Sequence, residues 1–299
     1  MFLSYDWITS TCSEDAWGVA LSGNSNDLKG FLLYFIKRKH GFRRITLPPL
    51  TPYLGPWIIY PEGQKRSQRY AHEKKVMEDL IEQLPPYDDL VLQFHPRITN
   101  SLPFYWKGFA NSLRYTYVIE ALSEPEQLFS EFRGNTRRAI RKASEKLEVT
   151  SSDEIETLHR LKLKDYKSKG KELPYSFEYF QRIDAALASR SRRKILYAVD
   201  GEEKTHGGIY LVYDQEECYY LIGAVDPEVK NEGSMSLLMW KGIEEASAMG
   251  LAYNFEGSMI EPIERFFRSF GAVQVPYLRI TKTPSFLLRG WKAFQSLSG

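Results

Sequence analysis

The feature that most restricts what this chain can become is an internal repeat at an offset of 161 residues. Leu92-Gln93-Phe94-His95 falls on Tyr253-Asn254-Phe255-Glu256, Trp106-Lys107-Gly108-Phe109-Ala110 falls on Phe267-Arg268-Ser269-Phe270-Gly271 without a gap, and Ile119 lands on Ile280. A period this long duplicates a whole supersecondary assembly, so the fold has to accommodate two copies of it. The expected elements repeat as well. A helix over 70–84, a strand over 90–95, a short aromatic helix and a strand over 114–119 face a helix over 234–249, a strand over 253–256, a helix over 261–270 and a strand over 274–281. Few of the paired residues are identical, which leaves convergence of two similar αβαβ units as the alternative to duplication.

Periodicity supplies the rest. Helical patterns run over 152–169 and 176–189, interrupted by Gly170 and Pro174. Short β-branched or aromatic runs over 195–199, 209–213 and 218–222, separated by Asp200-Gly201 and Asp214-Gln215, predict a meander. The second half thus reads ααβββαβαβ. In the first half, strand candidates at 16–21, 32–39 and 44–47 precede a loop at Pro48-Pro49 and Pro52. At 299 residues, 43% apolar and with 17 Phe, 6 Trp and 19 Tyr, the chain can bury two cores of ordinary size. We divide it into 1–130, 131–285 and a tail, 286–299.

Several function classes drop out. The longest apolar run, 31–36, extends with glycine only to the eight residues of 218–225, far short of the ~18 that a membrane span needs. Met1 to Asp6 shows no basic segment followed by an apolar one, so a cytoplasmic location is expected. Two cysteines and five histidines, none at i, i+4 spacing, predict neither a disulfide framework nor a metal centre. A net charge of +2 is too balanced for a protein whose main work is coating nucleic acid or an anionic membrane, so local clusters must carry any anion binding.

The element order, with a helix leaving a strand through a glycine-containing turn, resembles the GNAT acyltransferase fold. A tandem pair of such units resembles the FemABX peptidoglycan aminoacyltransferases and related FemAB-like acyltransferases. The resemblance rests on Asn135-Thr136-Arg137-Arg138-Ala139-Ile140-Arg141-Lys142-Ala143, Tyr219-Tyr220-Leu221-Ile222-Gly223-Ala224, Gly233-Ser234-Met235-Ser236-Leu237-Leu238-Met239-Trp240, and the stretch from Phe255-Glu256-Gly257-Ser258 through Phe266-Phe267-Arg268-Ser269-Phe270-Gly271-Ala272. It implies an α/β (mixed α+β) fold. Two GNAT-like units, each a mixed central sheet flanked by helices, are expected, the first degenerate and the second carrying the site. It also implies an acyl or aminoacyl transfer to an amine of a small anionic acceptor. The co-substrate would be acyl-CoA or another activated acyl donor, none bound tightly, with tRNA only as a donor carrier. The helical arm that FemABX enzymes often carry has no counterpart here. An ordinary acyl-CoA-dependent N-acetyltransferase and a non-catalytic anion-binding protein on a decayed GNAT pair remain the alternatives.

Individual residues give this chemistry its candidates. Five of the ten residues from Arg133 to Lys142 are basic, with no acid between Glu131 and Glu145. With Asn135 or Thr136 as cap, Arg137 and Arg138 oppose the helix dipole. Arg137/Arg141 and Arg138/Lys142 are like-charged i, i+4 pairs, each costing roughly 0.2–0.5 kcal/mol. Such a helix predicts that Arg137, Arg138, Arg141 and Lys142 bind an anion, or else form a solvated face opposite Phe132, Ala139, Ile140 and Ala143. The resemblance places a donor's pyrophosphate along Lys230, Asn231, Gly233 and Ser234. Glu232, and Met235 where the family has Gly or Ala, favour a plain Ser234-capped helix instead. Glu256, at a strand end beside Gly257, is the expected proton acceptor, its alternative being an ion pair with Arg265 or Arg268. Tyr219 is its fallback, although it alternates with Tyr220 across a strand and only one of the two can face a cleft. His206 reads as a loop residue, and Phe104-Tyr105-Trp106 and Phe266-Phe267 as core. The stretch from Phe286 to Lys292 is basic and amphipathic, suited to docking on its own domain or to touching a membrane.

Overall fold

The computed structural model describes residues 1–120, 125–229, 233–257 and 259–297. The chain groups into two compact units. The N-terminal unit comprises Phe2–Arg114 with Pro276–Gly299, and the C-terminal unit comprises Tyr115–Val275 with Met1.

The N-terminal unit opens with α1 (Tyr5–Thr11), whose first turn is capped by the Ser4 hydroxyl accepting the Trp7 N–H at 3.3 Å. A hairpin follows, β1 (Trp17–Asn24) and β2 (Asp27–Lys39), closed by Asn24 Oδ1 accepting the N–H groups of Asn26 and Asp27. β3 (Phe42–Thr46) returns through His40 and Gly41, both left-handed at φ 53° and 79°, which is the geometry a tight two-residue hairpin turn demands. After β4 (Pro56–Ile58), which pairs with β2, α2 (Arg66–Glu82) lays Val76, Met77 and Leu80 on the sheet. β5 (Asp89–Gln93) runs parallel to β3, and α3 (Leu102–Trp106) brings Phe104 against Phe94 and Phe109.

The C-terminal unit takes in the later residues of β6 (Ala110–Ile119), then α4 (Pro125–Glu131), α5 (Gly134–Ser144) and β7 (Leu147–Ser151). Helices α6 (Glu156–Ser168) and α7 (Phe177–Ala188) precede the meander β8 (Arg193–Asp200), β9 (Thr205–Tyr213) and β10 (Glu217–Val225). Next come α8 (Ser234–Ala248), β11 (Ala252–Asn254), α9 (Glu261–Arg268) and β12 (Val273–Lys282). The strands from β7 to β10 are antiparallel neighbours, and β11 joins β10 in parallel. Leu237, Leu238, Met239 and Ile243 bury α8 in a core shared with Phe132, Phe255 and Phe270.

The tandem arrangement is present, with residues 276–299 grouping with the N-terminal residues, and the repeat extends to the topology of the two units. Each has an antiparallel meander whose last strand runs parallel to the next, β3 with β5 and β10 with β11. The pairing then crosses over. β5 takes β12 as its antiparallel neighbour and β11 takes β6, so each repeat completes its sheet with the strand that follows the other repeat's aromatic helix. Four elements have no sequence forecast, α1, β4, α4 and β7. Leu147-Glu148-Val149-Thr150-Ser151 alternates over just two apolar positions, too few to register a period of two, and the helix expected from 152 starts at Glu156.

Candidate active site

Strands β10 and β11 pair from Glu217 with Ala252 to Tyr219 with Asn254, and no further. β10 shifts register against β9 between Tyr220 and Ile222 and continues to Val225 without β11 beside it. Two parallel strands that part in this way leave a wedge at their carboxyl ends, where α/β folds bind ligands.

On one side of that wedge lies a cleft of about 670 Å³, with Lys142, Asp165, Val225, Gly233, Ser236 and Phe266 among its walls. It joins two stretches that the sequence presents separately. Gly233, the N-cap of α8, is left-handed at φ 88°, and a Cβ there would lie 2.6 Å from the carbonyl oxygen of Ala139. Only glycine lets α5 seat against the start of α8. Among the residues expected to hold a donor, Gly233 and Ser234 stand at this helix start, Ser234 fully buried at 2%. Lys230 and Asn231 fall outside the described residues.

Of the four basic residues of α5, Lys142 alone lines the cleft. Arg137 donates to the Ser130 carbonyl at 2.9 Å, Arg138 to Asn135 Oδ1, and the Arg141 guanidinium sits 5.6 Å from the Phe129 ring centre. The helix also begins earlier than expected. Arg133 is its N-cap and makes no side-chain capping bond. Tertiary contacts override the local signal: the Arg133 N–H donates to the Ser269 carbonyl, and the Thr136 hydroxyl donates to Ser269 Oγ at 2.9 Å.

Glu256 lies two residues past the end of β11, outside the walls of the cleft. Neither anticipated ion pair forms, because Arg265 binds Glu261 and Arg268 binds Glu264. Its Oε1 is sealed from solvent with no hydrogen-bond partner. Burial pushes its carboxyl well above the ordinary carboxylate range, and the neighbouring Glu217 charge adds to the shift. The backbone is strained too, since Glu256 is left-handed at φ 62°. Its N–H donates to Asn254 Oδ1 at 2.9 Å, and Asn254 is itself held by Thr116 and Glu217. Gly257, at φ 63°, allows the chain to press on Tyr115, whose carbonyl oxygen would lie 2.2 Å from a Cβ.

Of the tyrosine pair, Tyr219 reaches away from the cleft, its hydroxyl donating to Asp214 Oδ2 at 3.4 Å. Tyr220 takes the other face, with its hydroxyl 3.9 Å from Sδ of the cleft residue Met235 and kept protonated by burial. Lys162, absent from the sequence reading, donates to the Gly223 carbonyl at 2.7 Å, and desolvation lowers its pKa. It lies four residues after buried Leu158, so helical spacing carried that signal. His206, expected in a loop, is instead buried near the start of β9, where it pairs with Asp200 at 2.7 Å. The Cys218 thiol, pushed up to about 12 by burial, is a core group and no nucleophile. Among the described residues no cluster of three His, Cys, Asp or Glu side chains is placed to hold a metal, and no helix is long and apolar enough to cross a membrane.

Comparison with known proteins fits this geometry. Residues 130–257 match the family model of the acetyltransferase (GNAT) domain, a segment that starts just before α5 and ends just after Glu256. Among solved structures the fold is similar to that of FemX, with 13% identity over 92% of this chain and 90% of that one and a TM-score of 0.64. A tandem GNAT protein from the clavulanic acid biosynthesis pathway has 9% identity, covers 90% of this chain and 84% of its own, and gives a TM-score of 0.55. L-PGS from Bacillus licheniformis has 11% identity over 90% and 85% of the two chains, with a TM-score of 0.53. No curated protein matches the chain in sequence.

Proposed function

We propose that this chain is an acyltransferase that does its chemistry in the C-terminal unit, moving an acyl or aminoacyl group from an activated donor to an amine, a reading supported by the match of residues 130–257 to the GNAT acetyltransferase domain model and by the FemX-like fold. The observation that carries the reading is Glu256, half-buried, with one carboxylate oxygen sealed from solvent and unpartnered, in a strained conformation where β10 and β11 part. An ammonium acceptor cannot attack until it loses a proton, and Glu256 in its ionised form takes that proton. The free amine then adds to the acyl carbonyl, and collapse of the tetrahedral adduct expels the donor's leaving group. Tyr220, kept neutral by burial, gives its proton to that leaving group and takes back the surplus proton of the newly bonded nitrogen, which closes the balance.

The N-terminal residues 1–130 serve as the structural unit and 131–285 carry the site. The donor's anionic part lies against the N-terminus of α8 and Lys142. The exposed Arg138 and Arg141 of α5 meet an anionic acceptor. Acyl-CoA and an aminoacyl carrier are the two donors to compare, and the cytoplasm is the compartment where both occur. The test is a thermal-shift screen with acyl-CoAs, aminoacyl donors and nucleotide sugars, followed by Glu256→Gln turnover with whichever donor binds. A loss of turnover with donor binding intact supports the reading. Wild-type turnover in the glutamine variant removes it, and no response to any activated donor favours a non-catalytic anion-binding protein.

A further inference from the structure

One face of the N-terminal unit has no part in this chemistry. The closing helix α10 (Phe286–Leu297) docks through one side only. There Leu288 is 3% exposed, and the Lys292 ammonium donates to Asp89 and to Thr283 Oγ1. At about 100° per residue, Phe286, Leu287, Trp291 and Phe294 fall on the opposite arc. They stand in solvent at 79, 73, 54 and 70% exposure. Four large apolar side chains together on a 12-residue helix form the sort of patch that soluble monomers rarely leave open.

The neighbouring β2–β3 hairpin carries the complementary feature. Its register sets Lys37 opposite Arg44 and Arg38 opposite Arg43, like charges directly across a ladder, which destabilise a sheet. The acids facing it are Asp88, which accepts the Arg43 backbone N–H, and Asp89, already shared by Arg44 and Lys292. Lys37, Arg38, Lys39 and His40 remain exposed. Between hairpin and helix lies a cleft of about 510 Å³, lined by Lys39, His40, Phe42 and Arg44 of the hairpin and by Leu288 and Trp291 of the helix.

We propose that this face docks the protein onto the surface of an anionic lipid bilayer. The exposed arc of α10 enters the boundary between headgroups and acyl chains, the hairpin cations meet lipid phosphates, and the cleft admits one headgroup. A second copy of the chain is the poorer occupant, since it brings the same cations against this hairpin. The inference stands apart from the proposed chemistry, because membrane attachment requires neither donor nor acceptor.

The test is co-sedimentation of the full chain with vesicles of phosphatidylcholine alone and of phosphatidylcholine mixed with phosphatidylglycerol, at low and high salt. The protein should pellet with the anionic vesicles, more weakly at high salt, and its tryptophan emission should shift to the blue in a way that Trp291→Phe removes. The double variant Leu287→Glu with Trp291→Glu changes exposed positions, so it should melt like the wild type yet stay in the supernatant. Each cation removed should weaken binding roughly fivefold, so Lys37→Ala, Arg38→Ala and Lys39→Ala together should lower it on the order of a hundredfold. Wild-type protein that ignores anionic vesicles at low salt overturns the proposal, and so does a double variant that still pellets. A wild-type dimer in sedimentation velocity that the double variant breaks overturns it in favour of self-association.

Discussion

The ends of β5 and β11 occupy the same place in the two repeats, and they differ in one telling way. β5 is followed by His95, which is packed 5.3 Å from the Tyr53 ring and accepts the Arg97 backbone N–H. β11 is followed by Glu256, with a carboxylate oxygen that has no partner and a left-handed backbone. The approach to the following helix differs in parallel. α8 begins at a left-handed Gly233 pressed on Ala139, whereas α2 begins after Lys65 in an ordinary extended conformation. A polar group left buried and unpaired costs stability, and such a cost persists where function retains it. The contrast supports the proposal that the C-terminal unit carries the chemistry and the N-terminal one is structural.

The largest expected effect breaks the comparison most sharply. Glu256→Gln should lower kcat by roughly 10²–10⁴-fold, the usual worth of positioned proton transfer, while His95→Asn leaves kcat within about twofold. Equal losses at both positions would erase the distinction between the units. Gly233→Ala comes next. The added methyl meets the Ala139 carbonyl at 2.6 Å in a backbone region that L-residues avoid, so the variant should lose over about 1 kcal/mol of stability by chemical denaturation and raise the KM for the donor. Lys142→Ala should raise that KM by about tenfold with kcat held, as expected for one charge at an anion site. Arg138→Ala, which removes an exposed guanidinium bonded within its own helix, should raise only the acceptor KM, and by a smaller factor.

Much of this was readable beforehand. Paired apolar and aromatic periods located most strands and helices and the repeat that relates them. Glu256 stood out as a carboxylate at a strand end beside Gly257, and Gly233 because a lone glycine preceded a helical pattern. The strand exchange was not readable, because periodicity identifies strands without naming their neighbours. The earlier start of α5 was hidden for a related reason: Ser269, more than a hundred residues away, supplies the bonds that local capping rules assign to Asn135 or Thr136. Tyr219 and Tyr220 were distinguishable only once the strand had a known face.

Titration of Glu256 gives the sharpest test. Its folded-state pKa lies above the unfolded one, so its contribution to stability is complete in acid and is lost as pH rises through the folded value. Thermal unfolding of wild type and Glu256→Gln, measured from pH 4 upward, should therefore show the variant gaining on the wild type as pH rises. The pH profile of kcat/KM for the two proteins measures the catalytic half of the same claim. The wild type should climb along a limb set well above the ordinary carboxylate range, and that limb should vanish in Glu256→Gln. Superimposable profiles would show that Glu256 neither titrates in the cleft reaction nor takes the acceptor's proton, and the assignment of chemistry to the C-terminal unit through this residue would fail.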